Sequence, residues 1–204
     1  MAELYNVRGT GIDISPYFLK DARAKAKGRV PNASLTFIQL DAKEYKQPEH
    51  QLFDLTSCMG ATWIWNGYSG TLQALTEMTR PGGTIIVGEP YWLKTPSSEY
   101  LEADNLKKET FADSHYDNVK VGEALGLTCI YTMVSTQQDF DDYETLTWMA
   151  ITDYAEANPT DPDVEEILKR MEHEKHVYLQ WQRDTLGWAL YTYRKSNLKE
   201  HRKN

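Results

Sequence analysis

The sequence predicts an α/β fold built on a mostly parallel sheet with helices on both faces. Three observations predict it. Short apolar runs at 10–14, 35–40, 52–59 and 84–87 alternate with segments of helical periodicity. These runs are almost unbroken by charge, as expected of strands covered on both faces. Parallel neighbours need a crossover, which a helix supplies. The 204 residues are 41% hydrophobic and 25% charged, an ordinary globular balance, and their length suits a single domain over 1–204.

Taken in order, residues 1–5 read as the end of a helix that Gly9 stops. After the first strand, Ser15 caps a helix with Pro16 at its first position. Phe18, Leu19, Ala22 and Ala26 recur at helical spacing, and Gly28 closes the helix. The second and third strands follow, then a helix over 69–79. Arg80-Pro81-Gly82-Gly83 reads as a turn before a fourth strand that ends at Val87. A helix over 118–125 ends at Gly126 and leads to a strand over 127–134. Two helical stretches follow, 141–157 and one opened by Asp161-Pro162, with Asn158-Pro159 between them. They predict a helical insertion at 139–183, a lid or wall, before a final strand over 188–193.

Twenty-two basic against 30 acidic residues give a net charge of −8, which argues against a nucleic-acid partner. Cys58 and Cys129 are too few for a zinc cluster or a disulfide framework; reduced thiols and a cytoplasmic location are expected. His173 and His176 stand three apart without an evident third ligand, so no metal is expected. The start has no signal-peptide core, and no apolar run is long enough to span a bilayer.

In an open parallel sheet, ligands bind beyond the carboxyl ends of the strands. Asp13 follows the first strand and suits ribose hydroxyls, although a turn aspartate explains it as well. Asp41-Ala42 follows the second, with the same two readings. Ser57-Cys58-Met59-Gly60-Ala61 follows the third, with small residues that let a ligand approach. Gly88-Glu89-Pro90-Tyr91-Trp92 follows the fourth and offers a pocket carboxylate. Aromatics crowd the second half, where packing and substrate enclosure both use them.

Four stretches then acquire a common meaning: Gly-Thr-Gly-Ile-Asp-Ile-Ser-Pro (9–16), Phe-Ile-Gln-Leu-Asp-Ala (37–42), Phe-Asp-Leu-Thr-Ser-Cys (53–58) and Leu-Thr-Glu-Met-Thr-Arg-Pro-Gly-Gly-Thr-Ile-Ile-Val-Gly-Glu-Pro (75–90). In this order and spacing the chain resembles class I S-adenosylmethionine-dependent methyltransferases, and the Gly-Glu-Pro-Tyr-Trp segment (88–92) and the Trp181-to-Trp188 region further resemble uncharacterised bacterial members. The resemblance implies a Rossmann-like fold and S-adenosylmethionine as cofactor. It brings no firm substrate assignment; it is the acidic chain with its aromatic insertion that favours a small-molecule substrate over nucleic acid. It implies that Asp13 holds the ribose and that Ile14 lies against the adenine. Asp41 would accept from the adenine amino group beside Ala42, with Cys58 and Met59 lining the cofactor. Glu89, Tyr91 and His115 are the candidates for a catalytic base. The family's first strand and Gly-rich loop precede the Asp13 strand and have no counterpart here, so the chain is expected to be N-terminally incomplete. Two alternatives stand beside this reading: a non-catalytic or truncated methyltransferase-like protein, and a nucleotide-dependent oxidoreductase. Self-association stays open.

Overall fold

Six strands form two sheets in the computed structural model, which describes residues 2–5, 7–30, 34–48 and 51–197. The chain divides into two units, Met1–Gln51 and Leu52–Asn204.

In the first unit, β1 (Arg8–Asp13) pairs in parallel with β2 (Ser34–Gln39), in unbroken register from Arg8↔Ser34 to Asp13↔Gln39. The crossover is α1 (Pro16–Arg29). Its start follows the sequence: the Ser15 hydroxyl accepts the Phe18 N–H at 3.4 Å and Pro16 occupies the first turn. Only Leu19 of the expected apolar face is buried; Phe18 is exposed. Two glycines behave differently from expectation. Gly9 lies inside β1 opposite Leu35, and residues 2–4 form a turn rather than a helix end, because strand pairing claims the segment from Arg8. Gly28 lies within α1, which continues to Arg29 and closes with the Val30 N–H on the Ala26 carbonyl at 2.9 Å. Met1 lies outside the described residues.

The second unit holds β3 (Phe53–Met59), α2 (Tyr68–Met78), β4 (Thr79–Trp92), α3 (Ser98–Ala103), α4 (His115–Ala124), β5 (Leu127–Val134), α5 (Gln137–Ala157), α6 (Val164–Val177) and β6 (Leu186–Lys195). The sheet order is β3-β4-β6-β5. β3 and β4 are parallel, and β6 runs antiparallel to both β4 and β5. Three strands therefore point one way and the last is reversed, a mostly parallel, Rossmann-like arrangement. The helical insertion lies between β5 and β6, where it brings the chain back to the middle of the sheet. It begins at Gln137, where Thr136 and Asp139 form a reciprocal cap. α6 starts at Val164 rather than at Pro162, because Asp161 accepts the Asp163 N–H at 2.9 Å and closes a turn first. A π-helical turn, Tyr178–Gln182, leads out of α6.

β4 differs from the sequence expectation at both ends. Arg80-Pro81-Gly82-Gly83 is a bulge inside the strand: Phe53 faces Thr79 and Leu55 faces Thr84, so the residues between are looped out, with Gly82 at φ +74°. The strand also passes Val87 and runs to Trp92. Gly88 and Pro90 do not stop it because β6 supplies partners beyond the last β3 pair, Met59↔Gly88.

The core of this unit is Leu72 and Leu75 of α2, Ile85, Val87 and Tyr91 of β4, and Ala189, Tyr191 and Tyr193 of β6. Gly122 of α4 allows the Tyr193 ring to approach; a Cβ there would lie 2.2 Å from Tyr193 Cε1. Among the described residues, no helix is long and apolar enough to cross a membrane.

Candidate functional site

In the first unit, the parallel register sets Asp13 opposite Gln39, two residues before Asp41, so both aspartates stand at the carboxyl end of their sheet. Asp13 is half-buried, and its Oδ1 accepts the Ser15 N–H at 2.7 Å. Asp41 is exposed and caps the turn Ala42–Glu44, its Oδ1 accepting the Lys43 N–H at 2.9 Å. Each carboxylate thus serves a turn with one oxygen. Among the described residues the second oxygen of each makes no hydrogen bond and is available to a ligand. Ile14 is 72% exposed beside Asp13. An apolar surface next to two half-committed carboxylates at one sheet end fits the ribose and adenine of a nucleoside cofactor.

In the second unit, Ile85, Val87, Glu89 and Tyr91 alternate onto one face of β4. That face is the core, so Glu89 is a carboxylate among apolar and tyrosyl side chains, 3% exposed. Its Oε2 is buried and has no hydrogen-bond partner. Burial pushes its pKa up to about 7 against the opposing pull of the Thr62 hydroxyl. At neutral pH it is poised between carboxylate and acid.

In the same unit the structure joins the candidates His115 and Tyr91 to Tyr68, Asn118, Tyr191 and Tyr193, which the sequence did not mark. Tyr191 OH lies 3.1 Å from His115 Nδ1 and receives a hydrogen bond from Asn118 Nδ2, also at 3.1 Å. Asn118 Nδ2 also donates to the Pro90 carbonyl at 3.1 Å. Tyr193 OH donates to the Asn118 carbonyl at 3.0 Å and lies 3.0 Å from Tyr68 OH. Burial raises the hydroxyl pKa of Tyr68, Tyr191 and Tyr193, so all three stay protonated. The His115 ring stacks on Tyr191 at 5.0 Å and meets the edge of Tyr91 at 5.4 Å. Burial lowers the His115 pKa, which favours the neutral imidazole. Tyr91 and His115, two of the candidates, are therefore neighbours. Alternation of Tyr191 and Tyr193 along β6 was the available sequence signal for the tyrosines.

Cys58 and Met59 end β3 with different environments. The Cys58 side chain is buried in the core; burial pushes its thiol pKa up, which is the opposite of nucleophile activation. Met59 is 48% exposed beside Gly60, whose φ of +59° lets the chain turn sharply there. His173 and His176 part company: His173 Nε2 lies 3.1 Å from the Ala103 carbonyl, and His176 packs edge-on against Trp181.

Comparison with known proteins bears on the family. A methyltransferase domain profile matches residues 1–83. The uncharacterized protein YjhP of Escherichia coli is 29% identical over 188 residues, covering 92% of this chain and 75% of that protein. The crystal structure of a SAM-dependent methyltransferase from Geobacter sulfurreducens, in complex with S-adenosyl-L-homocysteine, is 30% identical. It superposes with a TM-score of 0.84 over 94% of this chain and 77% of that one. A SAM-dependent methyltransferase from Thiobacillus denitrificans, also with S-adenosyl-L-homocysteine, is 29% identical with the same TM-score of 0.84, over 94% and 77% of the two chains. These likenesses set the oxidoreductase alternative aside. With identity, coverage and superposition in agreement, the chain belongs to the class I S-adenosylmethionine-dependent methyltransferases.

Proposed function

We propose that this protein methylates a small molecule, with Glu89 handling the acceptor's proton. The observation that carries the proposal is the buried Glu89 carboxyl with an unpartnered Oε2 on the strand that outruns β3. Bound S-adenosylmethionine supplies an electrophilic methyl group on a sulfonium. The protein's share is alignment, exclusion of water and management of one proton.

Asp13 accepts from the ribose hydroxyls through its free oxygen, while Ser15 keeps the other in place. Ile14 gives the adenine an apolar surface, and Asp41 with Ala42 accepts from its amino group. Cys58 contributes main chain and Met59 apolar surface. Glu89, at about 7, takes a proton from the acceptor and releases it without a large barrier in either direction. Tyr91 and His115 complete the wall beside it. The insertion at 139–183 serves as the lid over the acceptor. The net charge of −8 and the aromatic wall favour a small organic acceptor over nucleic acid. A cytoplasmic location belongs to the same reading and rests on the sparse, unpaired cysteines.

Transfer of label from methyl-labelled S-adenosylmethionine to a fractionated metabolite extract tests this. Label is expected in a low-molecular-mass fraction. Glu89→Gln is expected to lower the rate about 10²-fold, the usual scale of acid–base assistance, with S-adenosylhomocysteine affinity unchanged. Label only in macromolecules, or an undiminished rate in the variant, contradicts the proposal.

A further inference from the structure

We infer that Asn118 and Tyr191 fix His115 as a hydrogen-bond donor through Nε2, so that it recognises a lone-pair oxygen of the methyl acceptor and takes no proton itself.

Pro90 fixes the orientation of the Asn118 amide. Its carbonyl can only accept, so the Asn118 atom 3.1 Å away must be the amide nitrogen, and the orientation of that amide is settled. The second N–H of the same nitrogen then points to Tyr191 OH at 3.1 Å. Tyr191 receives this bond, which leaves its own hydrogen to be placed. The remaining partner of Tyr191 OH among the described residues is His115 Nδ1, at 3.1 Å. Tyr191 is fully buried, and a buried hydroxyl without an acceptor is a costly defect. The hydrogen therefore goes to Nδ1. A neutral imidazole carries one proton, so it resides on Nε2.

The base nitrogen of His115 is thus engaged by Tyr191, and the other nitrogen already bears a hydrogen. What His115 can offer is an N–H. It stands in the first turn of α4, beside the Ser114 cap and the acidic Asp117. The matching chemistry is a carboxylate, carbonyl or phosphate oxygen. Asn118 and Tyr191 act as positioning residues. The tautomer stands on the hydrogen bonds alone; only the identity of the ligand rests on the methyl-transfer reading above.

Long-range ¹H–¹⁵N NMR on the full chain tests both halves, with the His115 signals assigned by their loss in His115→Gln. At pH 7.5 a pyridine-type Nδ1 and a pyrrole-type Nε2 are expected. Tyr191→Phe removes the donor at Nδ1 and is expected to populate the second tautomer. Acetate is expected to shift the Nε2–H resonance at concentrations where methylammonium does not. A pyrrole-type Nδ1 in the parent protein, or an unchanged pattern in Tyr191→Phe, overturns the tautomer. A response to methylammonium alone, or none to acetate, overturns the oxygen recognition. Failure to bind S-adenosylhomocysteine would instead remove the methyl-transfer reading and leave the tautomer untouched.

Discussion

Glu89 couples folding stability to pH. Its folded pKa of about 7 lies above its ordinary value of 4.5, so between those pH values the folded chain holds more protons than the unfolded one. Stability from this group is complete below pH 4.5 and is lost as pH rises through 7. The shift corresponds to roughly 3 kcal/mol at about 1.4 kcal/mol per unit. Glu89→Gln is therefore expected to be more stable than the parent at pH 8, by an amount on that order, and equal to it near pH 4.5. Urea unfolding at the two pH values measures this; a variant less stable than its parent at pH 8 contradicts the account. Part of the candidate site at this scale was readable in the sequence. Asp13 and Asp41 were visible because a strand followed by a capping turn is a local pattern. The pairing of His115 with Tyr191 was not, because the two lie 76 positions apart and meet only through the sheet.

Element boundaries were legible only in part: α1 begins at its expected cap, whereas α6 begins at Val164, after the expected Asp161-Pro162 start. Ser15-Pro16 starts α1 as expected, since a cap needs only the residues beside it. Gly88 and Pro90 promised the end of β4, yet β6 extends it, because strand length depends on partners far away in sequence. The packing of α4 depends on one glycine. Gly122→Ala would drive a methyl group into the Tyr193 ring, with a Cβ 2.2 Å from Cε1. Overpacking of this kind typically costs about 1–3 kcal/mol, and a lowered melting temperature is expected by calorimetry. An unchanged value would show that α4 shifts freely.

The helical insertion has its own anchor. Asp141 of α5 accepts from Arg183 Nε at 2.8 Å and Nη2 at 2.9 Å, and from Tyr178 OH at 2.8 Å. Arg183, aided by Tyr178, holds its pKa down at about 2. The sign is the reverse of Glu89: this anchor is intact above the ordinary carboxylate range and is lost as pH falls toward 2. At neutral pH, Asp141→Ala is expected to speed limited proteolysis near Asn158-Pro159, and a bound ligand is expected to slow it in the parent. Equal cleavage in parent and variant would show that the anchor does not hold the segment.

At the scale of the whole molecule, the alternating pattern of strands and helices and the order of strand-end residues carried the fold class and the family. The four-stranded mixed sheet was only partly legible. The reversal of β6 follows from the insertion that precedes it, and nothing local to residues 186–195 announces direction. The most direct test of the account is a calorimetric titration of the chain and of Asp13→Ala with S-adenosylhomocysteine. The account predicts saturable binding that weakens about 10- to 100-fold in the variant, the worth of a hydrogen bond to a charged group. No saturable binding to the parent, or equal affinity in parent and variant, would contradict it.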